Sequence, residues 1–183
     1  MLKMRGVLDN MDRFKPDMYK KNIYDINYNK LKKSGIKILV FDFDNTIVEA
    51  GNHVISDSLK KLFNKLKKDF EVFIISNTLN VAKIDKFANE CGVSYVYDAR
   101  KPSSKGFKQV ERLEDVKKDN ICMIGDQLIT DIWGAKRMGF FCVLVEPINN
   151  REWLGTKINR MFEKIIFKRL YKKYKIEKGC YYD

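Results

Sequence analysis

Short apolar segments alternate with amphipathic ones through the middle of the chain, and this alternation limits its folds more than any other feature. Apolar runs predict buried strands, and apolar residues spaced at helical intervals predict helices. The predicted strands span 36–41, 72–75, 93–97, 121–124 and 140–145, and the predicted helices span 56–70, 81–91, 104–113 and 129–138. Strands that alternate with helices favour a mainly parallel sheet with helices on both faces. The sequence therefore predicts a doubly wound α/β fold.

Composition excludes several classes of protein. The 183 residues are 45% hydrophobic, which is ordinary for a globular chain and excludes wholesale disorder. No run of about 18 apolar residues could span a bilayer, and the first residues lack the apolar core of a secretory signal. The four cysteines form no CxxC pair, which disfavours structural zinc and is typical of reduced thiols. We therefore expect one folded domain in the cytoplasm.

Polar residues follow four of the predicted strands. Ligand sites in such sheets lie beyond the carboxyl ends of the strands, so these residues are expected to converge at one edge. They are Asp42 to Thr46 after the first strand, Ser76 to Thr78 after the second, Asp98 to Pro102 after the third, and Gly125 to Gln127 after the fourth, with Asp131 one helical turn further on. Four carboxylates, a hydroxyl and a lysine are thereby predicted to meet.

This predicted cluster is suited to phosphoryl transfer. Asp42 and Asp44 are two positions apart, so in an extended strand both carboxylates point the same way. Clustered carboxylates stay ionised together only around a cation, and their hard oxygen atoms favour magnesium. A carboxylate can attack phosphorus, while Lys101 and Ser76 would stabilise the charge of the phosphoryl group. A single aspartate after a strand is more often a turn or cap residue, but the whole set favours a catalytic site.

The ordered motifs resemble those of a known superfamily. The segments Asp42-Phe43-Asp44-Asn45-Thr46, Ser76, Lys101 and Gly125-Asp126 to Asp131 are similar to the four signature motifs of the haloacid dehalogenase (HAD) superfamily of phosphohydrolases. The resemblance covers residues 35–146 and implies a Rossmann-like, HAD-like sheet. An aspartate at position 44 implies a phosphatase rather than a dehalogenase.

The resemblance implies a role for each residue of the set. Asp42 is the implied nucleophile, and Asp44 is the acid that protonates the leaving group and then activates water. Ser76, with Asn77 beside it, is implied to bind the substrate phosphate, and Lys101 to steady both the phosphate and the nucleophile. The implied magnesium ligands are Asp42, Asp44 through its backbone carbonyl, Asp126, and Asp131 as a ligand or as an orienting residue.

Flanking segments resemble one branch of the superfamily more closely. Phe14 to Asp17, Ala99 to Pro102 and Asn159-Arg160 are similar to the bacterial YqeG-type branch, a type IIIA phosphatase group that resembles mitochondrial phosphatidylglycerophosphate phosphatase. This resemblance implies a lipid headgroup monophosphate as substrate. Only 31 residues separate Asp44 from Ser76, too few for a cap domain. A capless site suits a large or membrane-held substrate, unless another subunit closes it; the oligomeric state is left open.

Basic residues are concentrated at the two ends of the chain. The formal net charge is +12, with nine Lys or Arg against four acids in residues 1–34, 17 against 16 in residues 35–150, and ten against three in residues 151–178. We therefore expect a nearly neutral HAD-like core over 35–150, a basic N-terminal helical extension over 1–34, and a basic amphipathic C-terminal helix with a tail over 151–183. Basic ends favour anionic lipid or nucleic acid as partners, or serve only as a solubilising surface.

The C-terminal segment has a helical apolar pattern among its basic residues. The apolar positions are Trp153, Leu154, Ile158, Met161, Phe162, Ile165, Ile166, Leu170 and Tyr174. Such a helix either lies on a membrane surface or packs on the domain with its basic face in solvent. We expect packing for its first half and leave the tail from Lys168 open between packing, peripheral contact with an anionic membrane at its inner face, and nucleic acid. The single histidine, His53, is expected on the surface of the loop after the first strand.

The pattern as a whole predicts a magnesium-dependent phosphomonoester hydrolase that forms an aspartyl-phosphate on Asp42. A nucleic-acid end phosphatase is the alternative enzyme, because a basic, capless protein would suit it too. A non-catalytic membrane or RNA adaptor is the alternative of another class, and the complete set of acids and lysine argues against it. A two-component receiver is disfavoured, because receivers phosphorylate an aspartate after the third strand, where this chain has Asp98 to Lys101.

Overall fold

A single seven-stranded sheet forms the centre of the protein. The computed structural model describes residues 11–50, 54–113, 116–149, 154–177 and 179–181. The strands are β1 (Met18–Lys20), β2 (Ile38–Asp42), β3 (Glu71–Ile75), β4 (Ser94–Val96), β5 (Ile121–Gly125), β6 (Phe141–Val145) and β7 (Cys180–Tyr181). Their order across the sheet is β4-β3-β2-β5-β6-β1-β7, and every neighbouring pair is parallel except β1 and β7. The chain winds outward in both directions from the pair β2 and β5, which is therefore the switch point of the sheet.

Helices cover both faces of this sheet. They are α1 (Tyr28–Lys33), α2 (Asp57–Leu66), α3 (Val81–Cys91), α4 (Ser104–Leu113), a π-helix (Leu128–Trp133) that continues into α5 (Gly134–Lys136), and α6 (Leu154–Tyr174). Side chains of α1, α2 and α3 pack in one core, and side chains of α4, the π-helix, α5 and α6 pack in a second. The predicted doubly wound α/β class, with helices on both faces, is confirmed.

Local chemistry explains most of the helix ends. Ser56 Oγ accepts a hydrogen bond from the Leu59 N–H at 3.2 Å and so caps the start of α2. Helix α3 ends at Gly92, which has the left-handed φ of 62° that glycine adopts without steric cost. The predicted helix 129–138 differs from the structure, which has a π-helix and the short α5 there. The cause is the Gln127 carbonyl, which accepts bonds from both Asp131 N and Ile132 N and so widens the turn.

The N-terminal segment differs from the predicted helical extension. Its described part contributes strand β1, two 3-10 turns and only the short helix α1. Strand β1 pairs with β6 and covers hydrogen-bonding groups that would otherwise lie at an open edge. Met11, Phe14 and Tyr19 are buried in the core, so the basic charge of the segment lies around apolar residues that pack.

The C-terminal helix packs on the same core, as expected for its first half. Ile166 is buried there, and packing continues beyond Lys168 through Leu170 and Ile176, both 0% exposed. No helix in the described part of the chain is long and apolar enough to cross a membrane. The division into segments 1–34, 35–150 and 151–183 stays a prediction, and Trp153 and His53 lie outside the described residues.

Two adjacent isoleucines provide a matched test of this packing. The Ile166 side chain is 3% exposed, whereas Ile165 beside it is 46% exposed. We expect Ile166→Ala to lower the free energy of unfolding by about 2–5 kcal/mol, because it removes buried carbon atoms and leaves a cavity. Ile165→Ala makes the same change in helix propensity and should alter that free energy by less than about 0.5 kcal/mol. Urea unfolding measures both; equal effects would show that α6 does not pack through this face.

Candidate active site

The parallel strands bring the predicted residues to one edge of the sheet. Strand β2 lies between β3 and β5, and Asp42 at its end is in register with Ile75, the last residue of β3. Ser76 therefore follows the neighbouring strand on one side, and Asp126 follows β5 on the other. The carboxyl edge of the sheet holds these side chains at the switch point, where ligands bind in doubly wound folds.

Lys101 is the centre of the site. Its Nζ lies 2.5 Å from Asp42 Oδ1 and 2.8 Å from Asp131 Oδ1, and it also donates to the Ile75 carbonyl at 3.1 Å. The Lys101 side chain is 3% exposed, and the side chains of the two acids are 9% and 0% exposed. One buried ammonium thus holds the acid at the end of β2 against the acid in the π-helix.

Three buried carboxylates lie close together at this site. Asp42, Asp126 and Asp131 each offer an oxygen within 4.8 Å of the other two. Thr46 Oγ1 lies 3.2 Å from both Asp42 Oδ2 and Asp126 Oδ1. A hydroxyl has one proton, so it donates to only one of these acids at a time. The Lys101 ammonium thus contacts two of the three acids, and the Thr46 hydroxyl lies between Asp42 and Asp126.

Burial and the neighbouring charges shift the ionisation of Asp42. Burial raises the pKa of Asp42 to about 6; Lys101 opposes that rise and the Asp131 charge adds to it. For Lys101 burial favours the neutral amine, but Asp131 and Asp42 outweigh it and raise the pKa, so the group stays an ammonium. A divalent cation held among the three acids would reduce the repulsion between them. Three clustered carboxylates with hard oxygen donors fit such an ion.

The Gly125-Asp126 pair and the π-helix together place Asp131. A Cβ atom on Gly125 would lie 2.5 Å from Asp131 Cγ, so only glycine leaves room for this carboxyl group. The Gln127 N–H donates to Asp131 Oδ2 at 3.0 Å. The glycine that the sequence showed before Asp126 is thus explained by its packing against Asp131.

Asp44 does not join the buried carboxylates, which corrects the expectation that its side chain and that of Asp42 meet. Strand β2 ends at Asp42, and the chain then turns at Asn45, which has a left-handed φ of 65°. The Asp44 side chain is 38% exposed, and its Oδ1 accepts from Lys83 Nζ at 2.6 Å. Its carboxylate lies outside the acid cluster, and the metal contact implied through its backbone carbonyl stays a prediction.

Ser76 and Asn77 take different positions. Ser76 is 2% exposed, and its Oγ accepts from the Thr78 N–H at 3.1 Å, which leaves the hydroxyl proton to donate to a phosphate oxygen. Asn77 instead pairs with the backbone of Lys101: its Oδ1 accepts from Lys101 N at 2.7 Å and its Nδ2 donates to Lys101 O at 3.0 Å. Asn77 thereby positions the lysine, and its predicted contact with phosphate stays a prediction.

Two further residues support the site, although no role for either of them was predicted from the sequence. One is Thr46, which lies between two of the acids as described above. The other is Glu163 on α6, which is 5% exposed and accepts from the Ile129 N–H at 3.0 Å at the start of the π-helix. A signal for it exists in the sequence, because Glu163 shares the helical stripe of the buried Ile166 and Leu170.

Comparisons with known proteins find phosphatases among the relatives of this chain. The family model for mitochondrial PGP phosphatase matches residues 1–149. The chain is 35% identical over 161 residues to the probable phosphatase YqeG of Bacillus subtilis (strain 168). The matched region covers 87% of this chain and 93% of that protein. It is 27% identical over 146 residues to phosphatidylglycerophosphate phosphatase 1, chloroplastic/mitochondrial, of Arabidopsis thaliana, over 75% of this chain and 42% of that protein.

One solved structure is the magnesium-bound putative HAD-hydrolase YfnB from Bacillus subtilis. It has a TM-score of 0.48 and 14% identity, over 66% of this chain and 91% of that one. The family model and the sequence relatives define this protein as a phosphatase, and the motifs at the edge of its sheet resemble those of the HAD superfamily. More particularly, the chain belongs to the family of mitochondrial PGP phosphatases, which confirms the predicted resemblance to the YqeG-type branch.

The pairing of Asn77 with Lys101 leads to a prediction. Asn77→Ala removes two hydrogen bonds from the Lys101 backbone and should lower the free energy of unfolding by about 1–3 kcal/mol. Phosphatase activity should fall with it, because the ammonium is no longer held in place. Asn80→Ala is the matched control, since Asn80 is exposed in the same loop and its side chain makes no capping bond to α3. Thermal melts compare the two variants; an Asn77→Ala protein as stable as Asn80→Ala would contradict the positioning role.

Proposed function

We propose that this phosphatase hydrolyses a phosphomonoester with Mg²⁺ through an aspartyl-phosphate on Asp42. The observation that carries the proposal is the buried contact of Lys101 with Asp42 and Asp131. The lysine holds Asp42 Oδ1 on one side, and Thr46 lies against Oδ2 on the other. The orientation of the carboxylate is thereby set before substrate arrives, which is what an in-line nucleophile needs.

The reaction divides between two aspartates. An Asp42 oxygen attacks phosphorus while the bond from phosphorus to the leaving oxygen breaks, and Asp44 gives its proton to that oxygen. Water then attacks the phosphorus of the aspartyl-phosphate, Asp44 takes a proton from the water, and inorganic phosphate leaves with Asp42 restored. The exposure of Asp44 at the open edge suits this role, because the acid has to reach the leaving group and then water.

Charge on the phosphoryl group is balanced by residues of the site. The Lys101 ammonium and the Ser76 hydroxyl lie at the ends of neighbouring segments and stabilise the phosphoryl oxygens. Asp42, Asp126 and Asp131 would hold the ion, together with the Asp44 carbonyl. Bound Mg²⁺ supplies further positive charge to the phosphoryl oxygens.

A lipid phosphate such as phosphatidylglycerophosphate is the proposed substrate. The Arabidopsis relative is named as a phosphatase for that lipid. The segment between β2 and α2 is too short for a cap domain, and a site without a cap admits a headgroup held in a membrane. The proposed partner is an anionic membrane in peripheral contact, at its inner face. Helix α6 supports this, because it exposes Lys164, Lys168, Arg169 and Lys172.

A panel of phosphomonoesters tests the substrate class. The protein is assayed with magnesium on lipid, nucleotide, sugar and nucleic-acid end phosphates. We expect the highest kcat/KM on the lipid phosphate presented in mixed micelles. A higher value on nucleic-acid ends would favour the alternative enzyme and contradict the lipid proposal.

Asp42→Asn tests the nucleophile. An amide cannot accept the phosphoryl group, so turnover of an aryl phosphate should fall by at least about a thousandfold while the fold is kept. Asp119→Asn makes the same chemical change at an exposed position before β5, the opposite edge of the sheet, and should keep full activity. Activity of Asp42→Asn within about tenfold of wild type, a barrier difference of ~1.4 kcal/mol, would remove Asp42 from this role.

Asp126→Asn tests the metal. The variant should lose most of the rise in melting temperature that Mg²⁺ causes in the wild type, because a ligand is removed. Without metal it should be no less stable than wild type, since one charge fewer is repelled in the cluster. Calorimetric melts with and without magnesium give both results, and Asp119→Asn again serves as control. A full magnesium shift in Asp126→Asn would show that Asp126 is not an important ligand.

A further inference from the structure

Asp44 is held by a lysine that the reaction above does not use. Lys83 on α3 places its Nζ 2.6 Å from Asp44 Oδ1 and 5.1 Å from the centre of the Phe43 ring. The Lys83 side chain is only 9% exposed, although it reaches the open edge of the site. A mostly buried cation therefore contacts the residue that has to meet the leaving group.

This ion pair has to open during turnover. The Asp44 carboxyl group has to turn toward the leaving oxygen to reach it, and in that position it no longer contacts Lys83. An ammonium that is nine-tenths buried is costly without an anionic partner. A second anion beside Lys83 would remove the cost of leaving its ammonium unpaired. The substrate can supply this anion, because it binds before Asp44 reaches the leaving oxygen.

The distances set where such an anion lies. Lys83 Nζ is 2.6 Å from Asp44 Oδ1. The acid has to approach the leaving oxygen to about 2.6–3.2 Å, so the ammonium lies within about 6 Å of that oxygen. An anionic group that the ammonium contacts therefore belongs to the leaving group itself, close to the phosphomonoester.

We propose that Lys83 is a specificity-determining residue that binds a second anionic group, such as a phosphodiester, on the leaving group of the phosphomonoester that is cleaved. The inference rests on the proposed function, because it takes Asp44 as the proton donor. Lys83 passes from Asp44 to the phosphodiester when substrate binds, and Asp44 is released toward the leaving oxygen. Substrates with this second charge are thereby selected over simple phosphomonoesters.

Two compounds that differ in one charge test the selection. Both are propane-1,3-diol with a phosphomonoester at one end; the other end carries a free hydroxyl in one and a methyl phosphodiester in the other. We expect wild type to prefer the second compound in kcat/KM by about tenfold or more, as a hydrogen bond to a charged group allows. Lys83→Met keeps the packing on Phe43 and should bring that ratio close to one, whereas Lys83→Arg should keep a preference.

The control is Lys86→Met, which removes the same charge from an exposed position on α3. Lys86→Met should keep the wild-type ratio of kcat/KM values for the two compounds. It therefore separates the loss of one positive charge from the loss of the Lys83 contact. A ratio that Lys83→Met leaves unchanged would overturn the inference, and so would an equal fall in Lys86→Met.

A binding measurement separates this inference from the proposed function. Titration calorimetry on Asp42→Asn, with and without Lys83→Met, measures the affinity of both compounds in the presence of magnesium. The inference predicts that Lys83→Met weakens only the two-charge compound, by about tenfold or more. If wild type hydrolyses neither compound but this difference in affinity is found, the proposed reaction fails and the anion site stands. If both compounds are hydrolysed but the affinities show no effect of Lys83→Met, the reaction stands and the inference is overturned.

Discussion

The buried contact of Lys101 with Asp42 and Asp131 is the interaction on which the rest of the site depends. Three carboxylates at the end of a parallel sheet repel one another, and the ammonium between two of them makes the arrangement stable. Neighbouring residues hold these charged groups in position. Asn77 holds the lysine backbone, and the π-helix turns the Asp131 carboxyl group into the space that Gly125 leaves.

Stability and chemistry occupy different parts of the molecule. Two apolar cores on either side of the sheet hold the fold together, and the end segments add to them through β1 and α6. The carboxyl edge instead concentrates negative charge that the cores have to support. The two proposed catalytic aspartates at this edge differ in solvent exposure. Asp42 is buried beside Lys101, and Asp44 is partly exposed at the opening of the site beside Lys83. A deep nucleophile with an acid at the mouth suits a phosphate that enters first and a leaving group that stays outside.

Much of this architecture was predictable from sequence, because buried parallel strands are apolar runs and their polar ends fall at one edge. The bounds of α3 and α4 were predicted for the same reason, since their apolar spacing is regular. Strand β1 was missed, because three residues among many lysines carry too little periodicity. The roles of Asn77 and Lys83 depend on contacts 24 and 39 residues away, which no local pattern encodes. Asp44 was misplaced because the turn at Asn45 ends the strand alternation on which that prediction rested.

The central claim is that Asp42 carries the phosphoryl group during turnover. Sodium borohydride reduces an acyl phosphate, so quenching a reacting mixture of enzyme, magnesium and phosphomonoester with it converts the phosphorylated aspartate to homoserine. Peptide mass spectrometry then identifies the position. We expect the conversion at Asp42 alone, dependent on substrate and absent from Asp42→Asn. Conversion at another aspartate, with Asp42 unmodified in an enzyme that is turning over, would contradict the account.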